Sequence, residues 1–350
     1  MALLKLFGGK KTSLGLDIGS GIIKVAAIDH SGGEPELTSV AMTEVATDAI
    51  VEGEIMDPGL VAEAIRGLFS TAGMKQKTVV TAVGGRDVIV KKIQMDRMKE
   101  ADAREVIRWE AEQHVPFDMG HVELDFQILD PDAEGLQMNV LLVAAKRELV
   151  ESRVSLLHEA GLEAAVLDVD AFAIHNALEL NYPDAMQGVI GLVNVGHEVT
   201  NVNILEDGVP VLTRDLAVGT RRFREDLQRD KGLSAADSEK VVQGVIQNPD
   251  LANYVATRGE EIAVGVERAT AFLATASRSP GTLSRVFTSG GGSRIPGLGE
   301  ALAERLKVPV EPANPLQRLK VRETVFETVS VDEVAPLLML SIGLALRRAA

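Results

Sequence analysis

Five residues near the start of the chain have the chemistry of a phosphate-binding turn. Asp17 precedes the segment Gly19-Ser20-Gly21, and Lys24 follows it. Glycines in a turn let backbone N–H groups approach an anion, while a serine hydroxyl and a lysine ammonium add a donor and a positive charge. An aspartate beside them can hold a hydrated Mg²⁺. Gly-Ser-Gly turns are also common in ordinary hairpins, so this segment alone leaves both interpretations open.

The elements around this turn return about half a chain later. Aliphatic runs at 14–18 and 22–28 flank the first turn and predict a β-hairpin. The segment 188–205 has the same pattern, and its Val193-Asn194-Val195-Gly196 repeats Leu16-Asp17-Ile18-Gly19. A duplicated α/β domain explains such a repeat.

A third glycine turn follows a predicted strand at 285–288 and reads Ser289-Gly290-Gly291-Gly292-Ser293. Ligands of α/β sheets bind at strand ends, so three such turns predict one site. Two hairpin tips would hold a phosphate tail, and the glycine triplet would let a nucleoside lie flat on the backbone. None of the three turns is a Gly-x4-Gly-Lys-Ser/Thr loop or a Gly-x-Gly-x-x-Gly fingerprint.

The composition indicates a folded chain, fits a cytoplasmic protein, and favours proteins or small molecules as partners. The 350 residues are 46% hydrophobic and contain no cysteine, which excludes disulfides and Cys-based zinc sites. A net charge of −15 and only 3% aromatic residues argue against nucleic-acid binding. The apolar segment 2–7 and the basic pair after it can be a frayed tail, a segment docking on a partner, or a membrane contact. No signal peptide is visible, and the apolar run 335–346 is too short to span a bilayer.

Residues 85–145 interrupt the α/β pattern and predict an inserted subdomain. It contains strands near 88–94, 122–129 and 137–144 and a helix over about 99–114. We expect Trp109 and Phe117 to lie in its core, although a lone tryptophan on an acidic helix can also line a peptide groove. A last helix is predicted over 331–348.

The three turns together resemble those of the actin, Hsp70 and sugar-kinase superfamily over nearly the whole chain. Leu16 to Val25 matches its first phosphate motif, 190–203 its second, and Phe287 to Leu298 its adenosine motif. The resemblance implies an α/β fold of two actin-like, ribonuclease-H-like domains around a nucleotide cleft. The implied division is a first domain of 1–84, 146–180 and 333–350, an insert of 85–145, and a second domain of 181–332 with a subdomain at about 220–280.

Within this superfamily the sequence is similar to the FtsA family and, more closely, to the PilM family of type IV pilus assembly. The insert lies where both families carry a 1C, SHS2-like subdomain, and its segment 108–117 is similar to the PilM pattern. The chain ends without the amphipathic membrane helix usual in FtsA. The resemblance implies a cytoplasmic ATP-binding adaptor, held at the inner membrane by partners. The expected partner is the N-terminal cytoplasmic segment of PilN, in a groove between the insert and the first domain. Pilus assembly and retraction ATPases and a second copy of the chain are further expected partners.

The same resemblance implies an ATP and Mg²⁺ site. Asp17 and Asn194 would form the metal site. Asp170 would position the attacking water, or Asp168 would do so if the alignment is shifted. Many relatives have aspartate in place of Asn194, so we expect slow hydrolysis at most. The implied nucleotide-binding residues are Ser20, Gly21, Ile22, Lys24, Gly196, His197, Glu198, Thr200, Glu239, Lys240, Gly290, Gly291, Gly292 and Arg294.

Several of these residues also have ordinary structural interpretations. Asp170 can be a helix cap, His197 can be solvent-exposed, and Glu239 and Lys240 can belong to a solvated helix face. Two other functions also remain open: a membrane-associated, FtsA-like filament with ATPase activity, and a phosphotransferase.

Overall fold

We describe a computed structural model of the chain, in which residues 12–131, 134–276, 281–327 and 330–347 are defined. The segment 2–7, expected to touch a partner or a membrane, lies outside these residues. The chain begins with strands β1 (Thr12–Ile18), β2 (Ile22–Asp29), β3 (Glu36–Glu44), β4 (Ile50–Val51) and β5 (Glu54–Ile55), helix α1 (Pro58–Thr71) and strand β6 (Thr78–Val83).

The inserted segment forms an antiparallel sheet with one helix on it. Ala103, Ile107 and Ala111 recur every four residues on that helix and are buried against the sheet. The elements of the insert are β7 (Val88–Asp96), α2 (Glu100–Glu112), β8 (Val122–Ile128) and β9 (Gln137–Lys146).

The rest of the chain leads through two helices and a strand into a second sheet with its own helices. These elements are α3 (Arg147–Glu159), β10 (Glu163–Val169), α4 (Asp170–Asn181), β11 (Val189–Val195), β12 (Thr200–Glu206), β13 (Val209–Leu216), α5 (Thr220–Lys231), α6 (Ala235–Val242), α7 (Leu251–Ala276), β14 (Leu283–Ser289), α8 (Leu298–Leu306), β15 (Val310–Pro312), β16 (Lys320–Val321), α9 (Val331–Val334) and α10 (Met339–Leu346).

The two sheets repeat one arrangement, as the duplicated sequence pattern predicts. The first has strand order β10-β6-β1-β2-β3-β16, and the second begins β15-β14-β11-β12-β13. In each, three consecutive antiparallel strands are joined by a parallel strand, β6 beside β1 and β14 beside β11. Helices α4 and α10 contribute Ile174 and Ile342 to a core shared with both sheets. The predicted actin-like α/β architecture is confirmed.

The insert belongs to the first half by chain order and to the second half by strand pairing. Its strand β7 pairs with β13 through Lys91 and Leu212, so the second sheet continues β13-β7-β9-β8. The exact domain boundaries stay a prediction.

The last helix differs from its prediction as one helix over 331–348. It is divided into α9, a 3-10 turn (Ala335–Leu338) and α10. Pro336 lies in that turn and has no N–H to donate, which interrupts the helix. Beyond the break, Gly343 lies against the Ala173 carbonyl oxygen and Gly15 against the Ser341 carbonyl oxygen. Helix α10 therefore approaches both α4 and β1 at a distance that only glycine permits.

Four short strands have no signal in the sequence. They are β4, β5, β15 and β16, of two or three residues each. Runs this short carry no periodic pattern, and pairing partners elsewhere in the chain decide their formation.

Candidate functional site

The tips of the two repeated hairpins meet. A Cβ atom built on Gly21 would lie 2.8 Å from Cγ of His197. The N–H of Gly196 donates to the carbonyl of Val199 at 3.0 Å, which closes the second tip as a tight turn. The two glycine turns thus face one another, as a clamp on a phosphate tail requires.

The first tip carries a close pair of opposite charges. Asp17 and Lys24 are opposite each other in the register of β1 and β2, and Lys24 Nζ lies 2.6 Å from Asp17 Oδ2. Asp17 is 7% exposed. Gly19 is close to both charges, since a Cβ on it would lie 3.7 Å from Lys24 Nζ and 3.9 Å from Asp17 Oδ1. The tip therefore offers a cation, a carboxylate and free backbone close together.

The third turn lies on the end of β11, beside the second tip. Gly290 has a φ of +77°, and a Cβ on it would lie 2.7 Å from Asn194 Oδ1. The Ser289 hydroxyl donates to the same Asn194 oxygen at 3.0 Å. The Gly290 N–H donates to the carbonyl of Pro336 at 2.9 Å, at the break in the last helix. The geometry thus leaves no room for a side chain at Gly290.

Asp170 is the first residue of α4 and does not cap it. The capping position is Val169, which makes no side-chain cap bond. One carboxylate oxygen of Asp170 lies directly against Gly84. Burial and the nearby Asp17 carboxylate raise the pKa of Asp170 to about 7, although Arg153 favours its ionised form. Asp170 therefore changes charge near neutral pH.

Two charged residues at this site, the buried Arg153 and the half-buried Asp215, were not predicted from the sequence. Arg153, on α3, is 7% exposed, and its Nε and Nη1 have no hydrogen-bond partner among the described residues. Burial lowers the pKa of Arg153, while Asp170 and Asp17 oppose that change. Asp215, on β13, accepts a bond from Asn201 Nδ2 at 2.7 Å, and burial raises its pKa. Neither residue is next to a glycine turn in the sequence, so no local pattern points to them.

Asp168, the alternative to Asp170, lies next to Arg347 near the end of the described chain. Its Oδ2 lies 3.6 Å from Nε of Arg347, and its Oδ1 accepts the N–H of Val169 at 2.9 Å. Burial raises the pKa of Asp168.

The side chains of the second tip are tied to α5 and α6. Arg224 lies between His197, 3.0 Å from its Nε2, and the Glu239 carboxylate at 2.6 Å. Burial and then Arg224 lower the pKa of His197, so the ring is neutral at pH 7. Thr200 is fully buried, and its hydroxyl donates to the carbonyl of Val218 at 2.6 Å. The structure thus brings Glu239 to the site through Arg224.

Lys240 and Arg294 were also predicted to bind the nucleotide. Lys240 is exposed, and Arg294 is half-buried at the end of the 3-10 turn after Gly290. Within the described parts of the chain, no three carboxylate or imidazole side chains converge as a metal site. The donors present fit a cation held largely by water and by a bound ligand, with Asp17 as the buried carboxylate.

Two facing hairpins, a third glycine turn and a duplicated sheet define an actin-like protein. The family model described as type IV pilus assembly protein PilM matches residues 15–349. The chain is 30% identical to a chain of the PilM-PilN type IV pilus biogenesis complex, covering 97% of this chain and 98% of that chain with a TM-score of 0.84. The chain belongs to the PilM family, as the resemblance in its sequence predicted.

More distant structures share the fold. The ethanolamine utilization protein EutJ from Carboxydothermus hydrogenoformans is 17% identical, with 96% of this chain and 90% of that chain covered and a TM-score of 0.57. MreB5 of Spiroplasma citri bound to ADP is 13% identical, with 95% of each chain covered and a TM-score of 0.52. None of the helices described here is long and apolar enough to cross a membrane.

Proposed function

We propose that the protein is an ATP-binding adaptor of the type IV pilus assembly platform. It binds Mg-ATP between the two hairpin tips and presents its insert to the N-terminal cytoplasmic segment of PilN. Membership of the PilM family and the PilM-PilN complex of a 30% identical relative support this partner. The chain acts in the cytoplasm and reaches the inner membrane through its partners. Pilus assembly and retraction ATPases and a second copy of the chain are further partners in this proposal.

The contact between Gly21 and His197 is the observation that carries the nucleotide part of the proposal. It brings the backbone of one glycine turn against the other, with the Asp17–Lys24 pair beside them. In this proposal the turn from Ser20 to Ile22 and Lys24 hold the β- and γ-phosphates, and Asp17 orders a hydrated Mg²⁺. MreB5, which shares the fold, is bound to ADP in one structure and to AMPPNP in another. We propose that this chain binds the same class of ligand, an adenine nucleotide.

The third turn supports the nucleoside part of the ligand. Its glycines pack closely against the end of β11, where a side chain at Gly290 or Gly292 would collide with Val195. In this proposal the ribose and base lie along this backbone, next to Glu239 and Arg294.

The site favours retention of ATP over rapid turnover. Asn194 supplies an amide where a carboxylate would strengthen a metal site, and both of its polar atoms are engaged, with Ser289 and Asn201. Asp170, with a pKa of about 7, is only partly ionised at neutral pH. A water-positioning carboxylate that is half protonated activates water less effectively. We therefore propose slow hydrolysis at most, which leaves ATP as a structural ligand.

The insert offers a surface for the peptide partner. Trp109, predicted for the core, is instead 72% exposed on α2, with Glu105 and Glu112 exposed on the same helix. An exposed indole beside carboxylates suits a short segment with both apolar and basic residues. Phe117 is partly buried against the core of the insert.

Calorimetry with a synthetic peptide of the PilN N-terminal segment tests this function. We expect binding, and an affinity that differs about fivefold or more between protein with Mg-ATP and protein without it. Phe272→Ala, which changes an exposed aromatic residue outside the insert, is the control. Loss of binding in Trp109→Ala, with binding retained in Phe272→Ala, places the peptide on the insert. No binding in either nucleotide state contradicts the proposal.

A further inference from the structure

A second bridge joins the two halves of the molecule beside the contact between Gly21 and His197. Residues 46–56, here called the cleft hairpin, contain β4 and β5 of the first half. The N–H of Glu52 in this hairpin donates to Oε2 of Glu198 at 2.6 Å. Glu198 belongs to the second tip, next to His197, and only 8% of its side chain is exposed. The first half therefore holds a residue of the second tip directly.

Arg221 completes the bridge from the start of α5. Its Nη1 lies 2.6 Å from the other Glu198 oxygen, Oε1, and 3.0 Å from Oδ1 of Asp48 in the cleft hairpin. The Arg221 backbone N–H also donates to the His197 carbonyl at 2.8 Å. One residue thus contacts the second tip by backbone and side chain and the first half by its guanidinium.

The cleft hairpin contains two residues with an unfavourable backbone conformation. Asp48 and Glu52 have φ values of 58° and 49°, a left-handed region that residues other than glycine seldom occupy. Between them Ala49 and Ile50 are buried, which fixes the hairpin on its own half. The residues with unfavourable backbone are the same two that face Arg221 and Glu198.

The cleft hairpin is also tied to the first tip. The N–H of Val45, just before it, donates to the carbonyl of Gly21 at 3.0 Å. Contacts therefore run from Gly21 through Val45 and Glu52 to Glu198, beside His197, which itself touches Gly21. The two tips are joined both directly and through this loop.

We propose that Asp48, Glu52, Glu198 and Arg221 form a latch that holds the hairpin tips together over the nucleotide. Arg221 is a positioning residue of the site, and Glu198, predicted as a phosphate contact, acts through Arg221 and the cleft hairpin. The latch slows nucleotide release because the tips separate only after these bonds break. This inference rests on the proposed binding of ATP.

Release of a fluorescent ATP analogue, chased with unlabelled ATP, tests the latch. Arg221→Gln should release the analogue about tenfold faster, which corresponds to about 1.4 kcal/mol. Asp48→Asn, which removes the more exposed contact, should have a smaller effect, and the double variant should release little faster than Arg221→Gln alone because the two residues share one interaction. The matched control is Arg222→Gln, since Arg222 is the next residue and lies 3.7 Å from Glu225 of its own helix. Equal release rates in wild type and Arg221→Gln overturn the proposal.

The distance between the halves gives a readout that does not depend on nucleotide. The chain has no cysteine, so Glu63→Cys on α1 and Ala236→Cys on α6, both exposed, can be spin-labelled without background. In the unliganded protein, Arg221→Gln should shift or broaden the distance distribution, and Arg222→Gln should not. Identical distributions in the two variants contradict the latch. If wild type binds no ATP while the distributions differ as expected, the nucleotide proposal fails and the latch stands as a structural bridge.

Discussion

Gly21 and His197 come from hairpin turns half a chain apart, yet a Cβ on Gly21 would lie 2.8 Å from His197 Cγ. Around this contact lie the Asp17–Lys24 pair and the partly buried Asp170. The contact fixes how far apart the two turns stand, and with it the width of any phosphate site between them.

Replacing Gly21 should separate the two turns. In Gly21→Val the added carbons meet the His197 ring, so we expect ATP affinity to fall at least tenfold while the fold persists. Gly67→Ala is the control, because Gly67 lies on the exposed face of α1 with no atom within 4 Å of the new Cβ. This substitution should add about 0.5–1 kcal/mol of helix stability. Equal ATP affinities of the two variants by calorimetry would rule out the tips as the phosphate site.

A negative charge at Asn194 should disturb its neighbours. Asn194 Nδ2 donates to Asn201 Oδ1 at 3.2 Å, and Asn201 Nδ2 donates to Asp215. In Asn194→Asp two acceptors face each other unless the Asn201 amide flips, and a flip loses the Asp215 bond. We expect the free energy of unfolding in urea to fall by about 1–3 kcal/mol. ATP binding should also depend more strongly on Mg²⁺ in this variant than in wild type. A variant as stable as wild type, with unchanged Mg²⁺ dependence, would show that this network is unimportant.

Asp170 should make stability depend on pH in a definite direction. Its pKa is about 7 in the folded protein, against a usual 3.8, so the folded state binds the proton more tightly. Stability contributed by this proton is present below about pH 4 and is lost as pH rises to 7. Asp170→Asn cannot ionise, so its stability relative to wild type should rise by about 4 kcal/mol between pH 4 and pH 8. A difference that stays constant over this range would exclude the raised pKa.

Trp109 should report directly on the surface of the insert. Because it is the only tryptophan and is 72% exposed, the protein should have long-wavelength emission that acrylamide quenches readily. Trp109→Ala should change stability by about 0.5 kcal/mol or less, as exposed substitutions do. Emission at short wavelength, or a large loss of stability, would place the indole in a core.

Local patterns explain what the sequence predicted. The hairpins around 19–21 and 196–198 are recognisable because β-branched runs and glycine turns act over a few residues. The prediction of Trp109 in the core was wrong, although the helical pattern indicated its exposure. The buried residues Ala103, Ile107 and Ala111 recur every four positions, and Trp109 lies off their stripe.

Long-range packing explains what the sequence did not predict. Arg153 and Asp215 reach the site because α3 and β13 pack near the tips, and neither has a local signal. The pairing of Lys91 with Leu212, which attaches the insert to the second sheet, joins residues 121 positions apart that no periodic pattern connects. The contacts of Asp48 and Glu52 with Arg221 and Glu198 likewise depend on how the halves close.

The most direct test of the central claim compares ATP with adenosine by calorimetry on the full chain in the presence of Mg²⁺. If the two glycine turns grip the phosphate tail, ATP should bind with a dissociation constant of about 10 μM or tighter, and adenosine about 100-fold or more weakly, a loss of about 2.7 kcal/mol. Equal affinity for the two compounds, or no heat from ATP at all, would contradict a phosphate site between Gly21 and His197.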